Sequence, residues 1–189
     1  MKKIAIFASG NGSNAENIIR YFKENPQSAE VALVICNKPQ AGVLYRAEKL
    51  GVPTAVITKS ELNDSVFMLE LLQQHSVDLI VLAGFLQMIP AFLINSYRDK
   101  IVNIHPSLLP AFGGKGMFGR NVHEAVVAAG VQETGITIHL VTEKYDDGAI
   151  LFQAKTDVTH QDTPDSVETK IHSLEKEYFP QIIEKFFCK

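Results

Sequence analysis

Five short apolar runs, each closed by a turn signal and most followed by residues at helical spacing, constrain this chain more than any other feature. The runs are Lys3 to Ala8, Val31 to Ile35, Thr54 to Ile57, Leu79 to Ala83 and Ile101 to Ile104. Between them, Ile18, Ile19 and Phe22 recur at helical spacing, as do the residues of Ala41 to Leu50, Phe67 with Leu71 and Leu72, and the short stretch Pro90 to Ile94. Strands that read as continuous apolar runs are buried on both faces, and alternation with helices is the pattern that lets them pair in parallel. The spacing therefore predicts a mostly parallel sheet covered on both sides.

Beyond Pro110 the character changes. A glycine-rich segment, Phe112 to Gly119, leads into a helix around Val122 to Ala129, and its glycines predict a mobile or closely packed loop. Ile136 to Val141 and Ile150 to Ala154 flank the turn residues Asp146-Asp147-Gly148, which predicts two later antiparallel strands joined by a loop longer than a two-residue hairpin. Thr163-Pro164-Asp165 is a helix start, with a capping hydroxyl and proline at the first helical position, and the pattern runs to about Phe187. The expected fold class is α/β. It has a mostly parallel, Rossmann-like open sheet with helices on both faces, later antiparallel strands and a long C-terminal helix, all in one domain over 1–189.

Bulk composition narrows the partners. A formal net charge of -3 leaves no basic field of the kind that holds a nucleic-acid backbone, so any phosphate must be gripped locally and small molecules are the expected substrates. Cys36 and Cys188 are far apart and lack the spacing of a metal site or disulfide framework. The first eight residues are too short an apolar stretch for a signal segment, which predicts a first strand, a cytoplasmic location and no membrane association. The oligomeric state is open, a homodimer included.

Three places carry chemistry. Val102 to His105 delivers an amide and an imidazole, Asn103 and His105, to one face of a strand, and Pro106 then stops the ladder. Polar groups stranded there stand at the mouth of an open α/β sheet, where such folds bind ligands. Taken alone, His105 reads as a core histidine satisfied by a backbone carbonyl; beside Asn103, it reads as half of a pair that orients a carbonyl and stabilises its oxyanion. With no Gly-x-Ser-x-Gly elbow, direct attack by a substrate amine is expected rather than a covalent enzyme intermediate.

Gly10-Asn11-Gly12-Ser13-Asn14 follows the first strand and opens the first helix, where free N–H groups favour an anion, although a capped turn without ligand explains the loop equally well. It is neither a P-loop nor the dinucleotide fingerprint. Asp146-Asp147-Gly148 is a turn signal that acquires function only if one carboxylate reaches His105, where it would favour the imidazolium and raise the histidine pKa. His139 faces the same way as Thr137, as a supporting partner or an exposed residue. His105, His139 and Asp146 also mimic a two-histidine, one-carboxylate metal set, kept as a minor alternative. His75, His123, His160 and His172 sit among polar neighbours and are expected at the surface. Leu82 to Pro90 offers flexible apolar side chains for a planar ring, or simply packs under the sheet.

Taken together, Gly10 to Asn14, Leu82-Ala83-Gly84-Phe85, Asn103-x-His105-Pro106-Ser107-Leu108-Leu109-Pro110 and Asp146-x-Gly148 resemble the phosphoribosylglycinamide formyltransferases over nearly the whole chain. The resemblance implies that Gly12, Ser13 and Asn14 hold the phosphate of glycinamide ribonucleotide, with Glu175 near its ribose. It implies that Leu86, Gln87, Met88 and Ile89, with Asn103, meet the co-substrate 10-formyltetrahydrofolate. Asn103, His105 and Asp146 match the family's catalytic trio, the Asp-x-Gly spacing selecting Asp146 over Asp147. No metal is implied.

The chain departs from the family in three ways. Thr58 to Asp64 lacks an arginine that commonly contacts folate, Gln87 replaces another, and the Phe112 to Gly119 loop is longer and glycine-rich. The runner-up is a formyltetrahydrofolate deformylase, in which water replaces the amine, but that group normally carries an N-terminal regulatory domain, whereas here the catalytic fold is expected to begin at Lys3. Methionyl-tRNA formyltransferase is disfavoured by a missing C-terminal domain and the acidic balance. A phosphate-sugar binding module would use the same glycine loop with no partner for His105.

Overall fold

A computed structural model describes residues 1–188. Seven strands form one sheet in the order β3-β2-β1-β4-β5-β6-β7. They are β1 (Lys2–Ala8), β2 (Ala29–Cys36), β3 (Thr54–Val56), β4 (Leu79–Leu82), β5 (Ile101–His105), β6 (Glu133–Leu140) and β7 (Ile150–Asp157). The first five pair in parallel, and β6 and β7 add antiparallel. Because β1 lies between β2 and β4, the chain order reverses beside it, which opens a crevice at the strands' carboxyl ends.

The pleat sorts side chains into two cores. Ile4, Ile6, Val34, Val81, Val102, Ile136 and Ile138 face α1 (Ser13–Glu24), α2 (Gly42–Lys49), α6 (Arg120–Ala129) and α7 (Pro164–Phe187). Ala5, Phe7, Leu33, Ile35, Ile80, Leu82 and Ile101 face α3 (Lys59–Leu62), α4 (Ser65–Gln74) and α5 (Ala91–Ser96). Both sheet faces are thus covered, as the continuous apolar runs predict. The four-residue α3 escaped the sequence reading; Thr58 caps it in a reciprocal capping box with Glu61.

The last helix is set by two local devices. Thr163 accepts from the Ser166 N–H, and Pro164 occupies the first turn, where its missing N–H costs nothing. Farther along, the helix continues past Pro180. A proline there cannot donate to the carbonyl four residues back, and the Lys176 oxygen instead accepts from Asn17 Nδ2 of α1 at 2.9 Å. The defect in one helix becomes a tie to the other. It seats α7 against the helix that begins at the Gly10 to Asn14 loop.

Candidate active site

The first loop is shaped from below. Gly12 has φ +83°, and a β-carbon there would lie 2.6 Å from the Cα and Cβ of Val43 on α2, so no other residue fits without displacing that helix. Arg46, one turn farther along α2, donates from Nε to the Asn11 carbonyl oxygen at 2.9 Å and from Nη2 to Asn11 Oδ1 at 3.2 Å, and pairs with Glu16. From α7, Glu175 Oε2 accepts from Asn14 Nδ2 at 2.9 Å. Glu175 is only 7% exposed, and burial raises its pKa despite the Asn14 hydrogen bond.

The strand that ends at Pro106 behaves as the alternation predicts. Asn103 pairs with His139 and His105 with Thr137 across β5 and β6, so all four share the face opposite Ile104 and Ile138. Thr137, fully buried, ties down the turn after His105. Its hydroxyl donates to the Ser107 carbonyl oxygen at 2.6 Å and accepts from the Leu109 N–H at 2.9 Å. Gln153 of β7 reaches the Leu109 carbonyl oxygen at 3.0 Å. Neither Thr137 nor Gln153 stood out in the sequence as a site residue; the one available signal was that Thr137 shares His139's face.

Asp146 reaches His105. Gly148 makes this approach feasible, since a β-carbon there would sit 1.6 Å from the Leu140 carbonyl oxygen; only glycine lets the loop press against β6. Asp146 itself has φ +52°, an uncommon conformation for a residue with a side chain. Its Oδ2 stands 3.6 Å from His105 Nδ1 and its Oδ1 3.6 Å from His139 Nε2. The Gly114 N–H also donates to Oδ2 at 2.9 Å. The glycine-rich segment is therefore packed onto the carboxylate and the histidine, with Gly114 and Gly116 at positive φ.

Hydrogen-bond partners assign the ring protons, because a carbonyl oxygen only accepts. His105 Nε2 is 2.8 Å from the Phe112 oxygen and so carries a proton, leaving Nδ1 to face Asp146. His139 Nδ1 is 2.8 Å from the Leu140 oxygen, so its Nε2 accepts from Asn103 Nδ2 at 3.1 Å. That bond turns the Asn103 amide one way. His139, 2% exposed, is a buried partner of the amide rather than a surface group.

Electrostatics correct one expectation. Burial is the largest influence on His105 and outweighs the carboxylate of Asp146 and the Phe112 carbonyl, so its pKa lies below the ordinary histidine value rather than above it. Burial also pushes Asp146 upward, but the Gly114 N–H that donates to it helps hold its carboxyl below the usual range. Burial thus favours a neutral ring beside a carboxylate. His123 is a second correction: with His75, His160 and His172 it was expected at the surface, yet it is 3% exposed, and its Nδ1 has no hydrogen-bond partner among the described residues. Asn121 and Glu124 stand close to it in sequence, but it lies on the inward face of α6 with Val122 and Val126. A helical period decides burial, and nearest neighbours do not.

One cleft of about 830 Å³ runs from Gly12, Ser13, Asn14 and Glu175 past Asn103, His105 and Asp146 to Leu86, Gln87, Met88 and Ile89. Ile89 is buried, whereas Leu86 and Met88 present their side chains at the surface of the cleft. Among the described residues no group of three His, Cys, Asp or Glu side chains could hold a metal ion, and no helix is long and apolar enough to cross a membrane. Cys36 is fully buried and burial pushes the Cys188 thiol up to about 11, which suits two unreactive thiols.

Known proteins carry the same arrangement of chain. A family model described as formyl transferase matches residues 2–183. The chain is 43% identical to a phosphoribosylglycinamide formyltransferase of Bacillus subtilis (strain 168), over 98% of this chain and 94% of that protein. Its fold superposes on a crystal structure of phosphoribosylglycinamide formyltransferase from Bacillus halodurans with a TM-score of 0.90, at 36% identity, covering 100% of this chain and 96% of the other. A glycinamide ribonucleotide transformylase 1 from Geobacillus kaustophilus gives a TM-score of 0.89 at 36% identity, with 98% of each chain covered. A family match over almost every residue, in a fold whose cleft is built from the motif residues themselves, means that this chain belongs to the formyl transferase family.

Proposed function

We propose that the protein transfers the formyl group of 10-formyltetrahydrofolate to the amine of glycinamide ribonucleotide, a step of purine biosynthesis. The observation that carries this reading is the single cleft that joins an anion-binding helix start to a buried Asn-His-Asp cluster and an apolar-walled loop. The chain works as one formyltransferase domain on small molecules, in the cytoplasm and without nucleic acid. Its site needs no metal.

Gly12, Ser13 and Asn14 hold the ribonucleotide phosphate on the N–H groups at the start of α1, and Glu175, turned by Asn14, faces the ribose. Leu86 to Ile89 seats the pterin. The neutral glycinamide amine adds to the formyl carbon, forming the C–N bond while the carbonyl electron pair moves onto oxygen. The Asn103 amide and the His105 Nδ1 side of the ring meet that oxygen. As its charge develops, the proton released by the attacking nitrogen passes to His105 Nδ1, and the resulting imidazolium is held between Asp146 and the Phe112 carbonyl, both of which favour the charged form. The imidazolium then passes that proton to the folate nitrogen N10, the C–N10 bond breaks to release tetrahydrofolate, and the ring returns to its neutral form.

Formyl transfer assayed with glycinamide ribonucleotide present or omitted tests the reading. The expected result is tetrahydrofolate release that depends on the ribonucleotide. Equal release of formate without it would mean that water is the acceptor and would overturn the assignment.

A further inference from the structure

Ser9 stands where the two halves of the cleft meet. It is the first residue after β1, is 1% exposed, and donates its N–H to the Gly84 carbonyl oxygen at 3.0 Å. Its hydroxyl oxygen accepts from the Leu86 N–H at 2.9 Å and donates to Asn37 Oδ1 at 2.6 Å. The ends of β1, β2 and β4 therefore converge on one side chain. The next residue, Gly10, begins the anion loop, and Leu86 begins the segment across the crevice.

The hydroxyl is used in a definite sense. It has one proton, and Asn37 takes it; that fixes the rotor and leaves a lone pair aimed at the Leu86 N–H. Phe85, edge-on to Phe7 with centroids 5.3 Å apart, anchors the same segment from the other side. Alanine at position 9 would strand the Leu86 N–H without its partner while leaving the ring contact intact.

We infer that Ser9 is a positioning residue that sets the Leu86 to Ile89 segment in register with the Gly10 to Asn14 loop, and that Asn37 acts through it. The inference rests on the reading that the formyl donor sits on Leu86 to Ile89 and the ribonucleotide on Gly12 to Asn14. A pin of this kind affects the two substrates unequally. The anion loop keeps its own supports, Arg46, Val43 and Glu175, whereas the donor-side segment loses its polar tie.

Steady-state kinetics of Ser9→Ala, Asn37→Ala and the double variant test this, with each substrate varied against a saturating partner. Ser9→Ala should raise the KM for 10-formyltetrahydrofolate on the order of tenfold, the effect of one lost hydrogen bond with a stranded donor, and move the ribonucleotide KM by less than about twofold. Asn37→Ala, at a half-buried position that carries the test if Ser9→Ala fails to fold, should shift the same KM by a smaller factor. The double variant should be no worse than Ser9→Ala. Equal shifts in both KM values, no shift, or additive losses would overturn the inference while the wild type still transfers formyl. A wild type inert with this substrate pair would instead overturn the underlying reading, and the inference with it.

Discussion

His105 Nε2 lies 2.8 Å from the carbonyl oxygen of Phe112, a residue held at φ +53°, and this contact decides which face of the imidazole does chemistry. A carbonyl there keeps the Nε2 proton in place, so the proton that comes and goes is the one on Nδ1, facing Asp146. In a buried site the ring starts neutral, and the carboxylate and carbonyl lower the cost of charging it only when an oxyanion arrives. Asp146→Asn removes the charge and keeps the shape. The His105 ring, followed by NMR titration, should then titrate lower than in the wild type, because the largest influence favouring its charged form is gone.

Gly148 and Gly12 are each required by a close approach. Gly148→Ala would drive a β-carbon into the Leu140 carbonyl and displace the loop that carries Asp146. The expected result is a kcat loss on the order of a hundredfold, as for a misplaced reacting group, with ribonucleotide binding largely kept. Gly12→Ala should do the reverse, raising the ribonucleotide KM because Val43 blocks the loop's geometry. Kinetics of the two variants side by side separate these effects.

The Asn17 to Lys176 tie compensates for Pro180, so its removal has a defined consequence. Asn17→Ala should destabilise the protein by about 1 kcal/mol, the net worth of one hydrogen bond, measured by urea unfolding. An unchanged midpoint would mean that water satisfies the Lys176 carbonyl equally well.

Acid sensitivity follows from two histidines. Burial lowers the pKa of both His105 and His123 below the ordinary value of 6.5. As pH falls through that value the unfolded chain takes up protons that the folded one refuses, so stability drops until the lower folded values are reached; above it, these two groups contribute no pH dependence. The urea midpoint should fall between about pH 7.5 and about pH 5.5, and His123→Leu should show a shallower fall. Identical slopes for wild type and variant would contradict the account.

Periodicity made most of the fold legible. Continuous apolar runs separated by helical spacing identify the five parallel strands, and Thr163-Pro164 marks the start of α7 within a residue. Asn103, His105, Asp146 and the Gly12 to Asn14 loop were legible as motifs, and the structure brings them into one cleft. What escaped was what depends on distance through space. The lowered His105 pKa reflects burial by residues remote in sequence, Ser9 and Thr137 act through hydroxyl bonds to the loops that follow other strands, and His123 is buried by its place on α6 beside Val122 and Val126.

Single-turnover formyl transfer by wild type, His105→Asn and Asp146→Asn, each with ribonucleotide binding measured separately, tests the central claim most directly. Both variants should bind the ribonucleotide within about twofold of wild type and transfer formyl on the order of a hundred- to ten-thousandfold more slowly, since each removes a group that stabilises the developing charge. Transfer at the wild-type rate by either variant would contradict the claim that the neutral ring beside a carboxylate becomes the charged partner of the oxyanion.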